Sequence, residues 1–174
     1  MPLMWDIRPL TMDDAGHLLR FELDNRAWFE RFIQPRPDSF YTPTGVRLHI
    51  RQFLQENRQG KRLPRLIIHR ESGVIVGRVN LHNLRLDQGS AFIGYRVAQS
   101  IARQGAAKRG VDLIQHEARL LGIRTLLAYV VSANLASQKV LQHHGFKVKQ
   151  RLPDYVSLHG QKLDCLYCYK QLYE

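Results

Sequence analysis

The chain has 174 residues, the size of one ordinary domain with one sizeable hydrophobic core, so we expect a single domain over residues 1–174. Its 26 lysines and arginines outnumber its 15 acidic residues, and the resulting net charge of +11 favours an anionic partner such as a phosphate-bearing cofactor or nucleic acid. The sequence has no apolar run long enough to predict a membrane-spanning helix and no signal-peptide core near its start, so we expect a cytoplasmic protein with no membrane partner.

Apolar periodicity predicts elements in the order β α α β β β α β α β β. Strands are predicted where β-branched and aromatic residues run together, at 5–10, 66–69, 74–81, 91–97, 125–131, 146–150 and 163–172. Helices are predicted where apolar residues recur every three or four positions, starting after Thr11 and at 46–57, 107–121 and 135–144.

The connections between these elements predict how the strands pair. Strands 66–69, 74–81 and 91–97 follow one another through turns at 71–73 and 83–89, which favours antiparallel pairing. The helix at 107–121 is a crossover, so strand 125–131 should lie parallel to a neighbour.

Three further segments carry specific expectations. Gly110 on the apolar face of the crossover helix predicts close packing of that helix on the sheet. Segment 34–43 contains three prolines and is expected to be irregular, serving either as a substrate wall or as a lid on the core. The last two strands are expected to be joined through 153–155 and a turn at 159–160.

The most informative stretch is 94–111, a strand end followed by a basic loop and the start of a helix. Backbone N–H groups in the first turn of a helix lack partners within it and bind anions. Gly105 and Gly110 have the spacing of a P-loop, but Val111 and Asp112 follow where Lys-Ser/Thr is required. No Gly-x-Gly-x-x-Gly occurs, so nucleoside triphosphates and dinucleotides are not expected.

No metal site is predicted. Cys165 and Cys168 are the only two cysteines, and they lie on a predicted strand, where residues three apart face opposite sides of the sheet. That geometry is poor for a disulfide or for sharing a metal ion, so both are interpreted as structural.

The element order, the Gly94-to-Val97 strand, the loop 102–107 and the Asn-x-x-Ser of 134–137 resemble the GNAT acyl-CoA-dependent N-acetyltransferases. Within that superfamily the chain is most similar to the ribosomal-protein-alanine N-acetyltransferase (RimJ/RimL-like) type. The resemblance implies an α/β (α+β) fold with a central, mixed, mostly antiparallel, twisted sheet of about seven strands and about four flanking helices. It also implies acetyl-CoA as cosubstrate, with an amine acceptor.

The resemblance implies that acetyl-CoA binds to the Gly94-to-Val97 strand, the loop 102–107 and the start of the helix at 135–144. The loop differs from the family motif at its first position, where Ala102 replaces Gln or Arg, and we expect Arg103, Lys108 or Arg109 to supply the missing interaction. The predicted cofactor-binding residues are Tyr95, Arg96, Val97, Arg103, Gln104, Gly105, Ala106, Ala107, Lys108, Asn134 and Ser137.

Acetyl transfer to an amine requires hydrogen-bond donors for an oxyanion and a proton for the departing thiolate. The Val97 N–H is the predicted oxyanion donor, at a strand end where relatives carry a bulge that separates two strands. The resemblance assigns thiol protonation to Ser137, although Asn134 and Ser137 fit a simple helix cap equally. Tyr155 and Tyr129 are alternative proton donors with more suitable acidity.

The predicted general base is His82, with Glu22 and Asp24 as further candidates. A protein α-amine has a pKa of about 7.7–8.0 against about 10.4 for lysine, so a weak base suffices for an N-terminus. This difference favours the α-amine of a protein over lysine as the acceptor, and the resemblance implies a ribosomal protein, with ribosome association. Either a monomer or a homodimer is expected. Alternatives are a small-molecule amine, or an inactive basic scaffold that binds nucleic acid or the ribosome.

Overall fold

The computed structural model describes residues 3–173. Seven strands form one sheet: β1 Trp5–Pro9, β2 Leu63–His69, β3 Ile75–Arg85, β4 Ser90–Val97, β5 Thr125–Val131, β6 Lys147–Leu158 and β7 Gln161–Gln171. Five α-helices flank it: α1 Ala15–Asp24, α2 Arg26–Phe29, α3 Pro43–Arg58, α4 Ala106–Leu120 and α5 Leu135–His143. Three 3-10 turns add to these at Met12–Asp14, Asp38–Tyr41 and Gln99–Ile101.

The sheet has the strand order β1-β2-β3-β4-β5-β7-β6. All neighbours are antiparallel except β4 and β5, which are parallel as the helical crossover predicts. The predicted mixed, mostly antiparallel sheet of seven strands is confirmed.

The helices divide between the two faces of the sheet. Helices α4 and α5 cover one face, where Val111 and Ile114 of α4 join the core that contains Ile93 and Leu126. Helices α1 and α3 build a second core on the opposite face, around Leu18, Ile50 and Leu66. We call these the α4/α5 face and the α1/α3 face.

Several predicted boundaries are wrong, and each has a local cause. Strand β3 continues through a bulge between His82 and Arg85, which shortens the predicted 83–89 turn. Residues 153–155 lie inside β6 instead of joining two strands, because β6 is an edge strand whose outer N–H groups need no partner. Within segment 34–43, Asp38–Tyr41 forms a 3-10 turn and Pro43 starts α3 at the position that tolerates proline.

A buried ion pair fixes α1 to β3. Arg78 Nη1 donates to Glu22 Oε1 at 2.8 Å, and both side chains are about 1% exposed. The second arm of Arg78 contacts His49 Nε2 of α3 at 2.8 Å, so that nitrogen is the acceptor. Burial, and then the positive charge of Arg78, lowers the pKa of His49 from 6.5 to about 2.

We expect Gly110→Ala to lower the free energy of unfolding by about 1 kcal/mol, because overpacking outweighs the gain in helix propensity. A Cβ at Gly110 would lie 2.6 Å from Ile67 Cδ1 of β2. Ile67→Val removes that atom, so the double variant should be more stable than the sum of the single effects in urea unfolding. Strictly additive effects would contradict the close packing of α4 on the sheet.

We expect His49→Gln to reduce the acid sensitivity of the fold. His49 gains a proton on unfolding below about pH 6.5, so its contribution to stability is present above that pH and is lost as the pH falls. The glutamine amide can accept the hydrogen bond from Arg78 but cannot titrate. The variant should therefore lose about 1–2 kcal/mol less of its free energy of unfolding than the parent between about pH 6.5 and pH 5. Urea unfolding at each pH measures this; His17→Gln, at an exposed position on α1, should keep the parent dependence.

Candidate active site

A gap opens between β4 and β5 in the middle of the sheet. The two strands pair only from Ser90↔Thr125 to Phe92↔Leu127. Beyond that point β4 stays paired with β3 as far as Val97, and β5 stays paired with β7 along its whole length. Each strand therefore remains tied to its outer neighbour while the two inner edges separate.

Backbone groups of β4 point into this gap. Ala98 N donates to Val76 O at 2.8 Å, so Ala98 and every second residue before it direct their backbone N–H and C=O groups towards β3. Antiparallel strands direct alternate residues to opposite neighbours, so the N–H and C=O of Tyr95 and Val97 face the β5 side. The gap thus presents backbone donors to any group that enters it.

The bulge implied by the family resemblance is not found at this end of β4. The register with β3 is unbroken from Gly77↔Val97 to His82↔Phe92, and the irregularity lies beyond His82 instead. The prediction of a bulge near Val97 is wrong, whereas the separation of strands that it was meant to explain is present.

The loop that follows β4 leads into the first turn of α4. Gly105 has a φ of +84°, and a Cβ placed on it would meet nothing within 4 Å, so the backbone borders open space. Arg109 N donates to Gly105 O at 2.9 Å, in the first turn of α4. The N–H groups of residues 106–108 come before this bond and have no acceptor within the helix. On the inner side, the Trp5 indole donates to Gln104 O at 3.1 Å and anchors the loop to β1.

Charged side chains border this loop. Arg103 and Lys108 are exposed beside it, where they could take the place of the interaction missing at Ala102. Arg109 instead forms an ion pair with Asp112 at 3.1 Å. Of the three cations expected to substitute, Arg103 and Lys108 are the ones left without an ion-pair partner among residues 3–173.

Ser137 and Tyr95 meet at the α4/α5 face of the gap. Asn134 Oδ1 accepts from Ser137 N at 3.1 Å, so Asn134 caps α5. The Tyr95 hydroxyl lies 3.0 Å from both Ser137 Oγ and Ser137 O. Burial raises the pKa of Tyr95, which keeps its phenol protonated. The pair forms a short hydroxyl chain beside the parted strands.

His82 lies on the opposite, α1/α3 face. A Cβ on Gly94 would be 3.8 Å from His82 Nε2, so the imidazole lies beside the one position in β4 that has no side chain. Burial, followed by repulsion from Arg62, lowers the pKa of His82 below 6.5. The ring is therefore neutral at pH 7 and able to accept a proton.

An aromatic stack continues from His82 across the same face. His82 stacks on Phe92 at 5.7 Å, Phe92 on Tyr129 at 5.4 Å, and Tyr129 on Tyr155 at 5.4 Å between ring centroids. The predicted alternative proton donors Tyr129 and Tyr155 are thus brought together with His82. They lie across the sheet from Ser137 Oγ.

Glu22 is not free to act as a base. Burial alone would raise its pKa, but Arg96, Arg78 and Arg36 together outweigh that effect and hold the pKa below its usual value. The carboxylate is the shared partner of these three guanidinium groups. Asp24, the other acidic candidate, is exposed on α1 and pairs with Arg20. Sequence reasoning missed the arginines, although Arg78 inside an apolar strand was a signal of a buried charge.

Both cysteines are free and buried on β7, and burial raises their pKa values. Residues 3–173 contain no cluster of three or more histidine, cysteine or acidic side chains placed to hold a metal ion. In the same range no helix is both long and apolar enough to cross a membrane.

The chain resembles known acetyltransferases in sequence. A family profile described as "Acetyltransferase (GNAT) domain" matches residues 6–147. A probable N-acetyltransferase of Bacillus subtilis (strain 168), YjcK, is 31% identical over 145 residues, which cover 80% of this chain and 78% of that protein.

Solved structures share the fold. A ribosomal-protein-S5-alanine acetyltransferase from Vibrio fischeri superimposes with a TM-score of 0.92 at 19% identity, covering 100% of this chain and 96% of that one. Mycobacterium smegmatis RimJ in complex with CoA-disulfide has a TM-score of 0.88 at 26% identity, covering 96% and 81% of the two chains. The family and fold predicted from the sequence are confirmed: the chain belongs to the GNAT acetyltransferases, and acetyl-CoA is its acetyl donor.

Proposed function

We propose that this GNAT enzyme acetylates the α-amine of a polypeptide N-terminus, with ribosomal proteins as the favoured acceptors. The name of one structural neighbour, a ribosomal-protein-S5-alanine acetyltransferase, supports this acceptor class. Association with the ribosome in the cytoplasm would follow from such a substrate, and the net charge of +11 is compatible with attraction to ribosomal RNA.

The observation that carries the proposal is the weakness of the available base. Glu22 is held by arginines, and the group beside Gly94 is the neutral imidazole of His82 with a lowered pKa. Such a base suits an amine that is already partly neutral at pH 7, as an α-amine is, and suits a lysine ammonium poorly. The acceptor would approach from the α1/α3 face, between the aromatic stack and segment 30–41.

The site at Gly105 fits the pyrophosphate of acetyl-CoA, because its backbone N–H groups border open space at the start of α4. Acetyl-CoA supplies a thioester carbonyl that an amine can attack. In our proposal the loop residues around Gly105 hold the phosphates and the Val97 N–H donates to the carbonyl oxygen as charge develops there. His82 accepts the proton of the amine, directly or through water.

The departing thiolate requires a proton on the other face of the gap. Ser137 Oγ is suited to hydrogen-bond it. The Tyr95 hydroxyl donates to Ser137 O and lies 3.0 Å from Ser137 Oγ, so it orients the serine. Because burial raises the pKa of Tyr95, its phenol is a weak acid that holds Ser137 in place and does not supply a proton. In this proposal Ser137 stabilises the thiolate by a hydrogen bond until water protonates the sulfur, which fits the low acidity of a serine hydroxyl.

We expect peptides with a free N-terminus to be acetylated at least about tenfold more efficiently than small amines or the lysine of an N-terminally blocked peptide, because a weak base favours the amine of lower pKa. Thiol release from acetyl-CoA, with mass spectrometry of the products, measures kcat/KM for each acceptor. Faster acetylation of the small amines would replace the proposed acceptor class. Nucleic-acid binding without any turnover would indicate an inactive scaffold.

We expect Ser137→Ala to lower kcat by about tenfold or more with little change in KM for acetyl-CoA, since a hydrogen bond to the developing thiolate acts in the transition state. Tyr95→Phe should cause a smaller loss and little further loss when combined with Ser137→Ala. Ser132→Ala, which removes a neighbouring serine hydroxyl just before α5, serves as the control and should keep parent turnover. Unchanged kcat in Ser137→Ala would exclude this role of Ser137.

A further inference from the structure

The carboxylate of Glu22 lies at the centre of a cluster of three arginines on the α1/α3 face. Its oxygens are 2.8 Å from Arg78 Nη1, 3.3 Å from Arg36 Nη1 and 3.8 Å from Arg96 Nη1. We call Glu22, Arg36, Arg78 and Arg96 the arginine cluster. It draws one side chain each from α1, the segment before α3, β3 and β4.

The arginine cluster carries more positive charge than its single carboxylate can neutralise. Three guanidinium groups face one glutamate, and the adjacent His49 adds no charge because its pKa is lowered to about 2. Burial lowers the pKa of Arg96 to about 9, so the charged form of its guanidinium is less stable here than in water. Unpaired charges in a protein interior are costly unless a counter-charge satisfies them.

Neighbouring groups stabilise these cations only in part. Arg36 lies over the ring of Phe40 at 4.2 Å, and Arg96 over the ring of Phe29 at 5.2 Å. Cation–π contacts are weaker than a charge-assisted hydrogen bond. Arg36 Nη1 and Arg78 Nε are buried atoms that make no hydrogen bond to any acceptor among residues 3–173. A ligand cannot reach these buried atoms, so an additional anion has access only to the exposed parts of Arg36 and Arg96.

The accessible edge of the arginine cluster lies next to the acyl-transfer gap. The Arg36 and Arg96 side chains are 22% and 18% exposed, whereas Glu22 and Arg78 are closed off. Arg96 immediately precedes Val97 on β4 and shares the face of Gly94, so its side chain lies away from the α4/α5 face although the sequence predicted it to bind the cofactor. Segment 30–41, which carries Arg36, reaches the β6–β7 hairpin through a bond from Gln34 Nε2 to Ser157 O. An acceptor that crosses this face passes Arg36 and Arg96.

We infer that Arg36 and Arg96 bind a carboxylate of the acceptor, so that the enzyme prefers polypeptides with an acidic side chain close to the N-terminus. This inference rests on the proposed acetylation of polypeptide α-amines and specifies the sequence that follows the amine. The carboxylate supplies the counter-charge that the arginine cluster lacks, and it holds the chain with its amine directed to Gly94 and His82. Arg36 and Arg96 are binding residues with no part in proton transfer.

The test compares two peptides that differ only in having glutamate or glutamine at positions two and three. We expect the acidic peptide to have a kcat/KM about tenfold higher or more, mainly through a lower KM, because glutamate can form a charge-assisted hydrogen bond that glutamine cannot. Arg36→Gln should reduce this ratio to about twofold or less, and Arg36→Lys should retain part of it. Arg51→Gln removes the same charge from an exposed position on α3 and should leave the ratio unchanged.

Calorimetric titration of both peptides provides a second readout that does not need turnover. Preferential binding of the acidic peptide, lost in Arg36→Gln while thermal unfolding shows a folded variant, supports the inference. Equal kcat/KM and equal affinity for the two peptides would overturn it and leave N-terminal acetylation standing. Acetylation of neither peptide would contradict the proposed function, and the calorimetric preference would then decide the carboxylate site independently.

Discussion

The separation of β4 from β5 is the constraint on which the rest of the site depends. A continuous sheet would satisfy the backbone groups of both strands and leave none for a ligand. Here the pairing stops at Phe92↔Leu127, while the outer ladders continue to Val97 and along all of β5. The gap is stable because each strand keeps one full set of hydrogen bonds and each face of the sheet keeps its own helices. The candidate site thus consists of backbone N–H and C=O groups that have no strand partner in a sheet that is otherwise paired.

The sheet also separates two kinds of chemistry. On the α4/α5 face lie the loop at Gly105, which we propose to bind the pyrophosphate, and the hydroxyl pair of Tyr95 and Ser137. On the α1/α3 face lie the imidazole of His82 and the arginine cluster. A thioester and an amine that enter from opposite faces would meet only in the gap. This arrangement suits direct transfer between two substrates, because neither needs to leave before the other binds.

The sequence was sufficient for the elements, the parallel crossover and the family, since those depend on local periodicity and on short motifs with fixed spacing. Gly110 could be interpreted correctly because a glycine on the apolar face of a helix usually marks close packing against a neighbouring element. The path of β6 through Pro153 could not be predicted, because its tolerance depends on the strand being at the sheet edge. Glu22 was a candidate base in the sequence because the arginines that pair with it lie far away along the chain, so nothing near Glu22 indicated that its carboxylate is occupied. Long-range charge pairing of that kind is invisible to a periodic pattern.

The hydrogen bond from the Trp5 indole to Gln104 gives the protein an intrinsic optical probe. The chain has two tryptophans, and the structure places them on opposite sides of the chemistry. Trp5 is buried behind the loop at Gly105, whereas Trp28 is half-buried on the α1/α3 face and covered by the guanidinium of Arg31. Fluorescence of single-tryptophan forms would therefore report order in the loop separately from movement of the segment around Trp28, without any label.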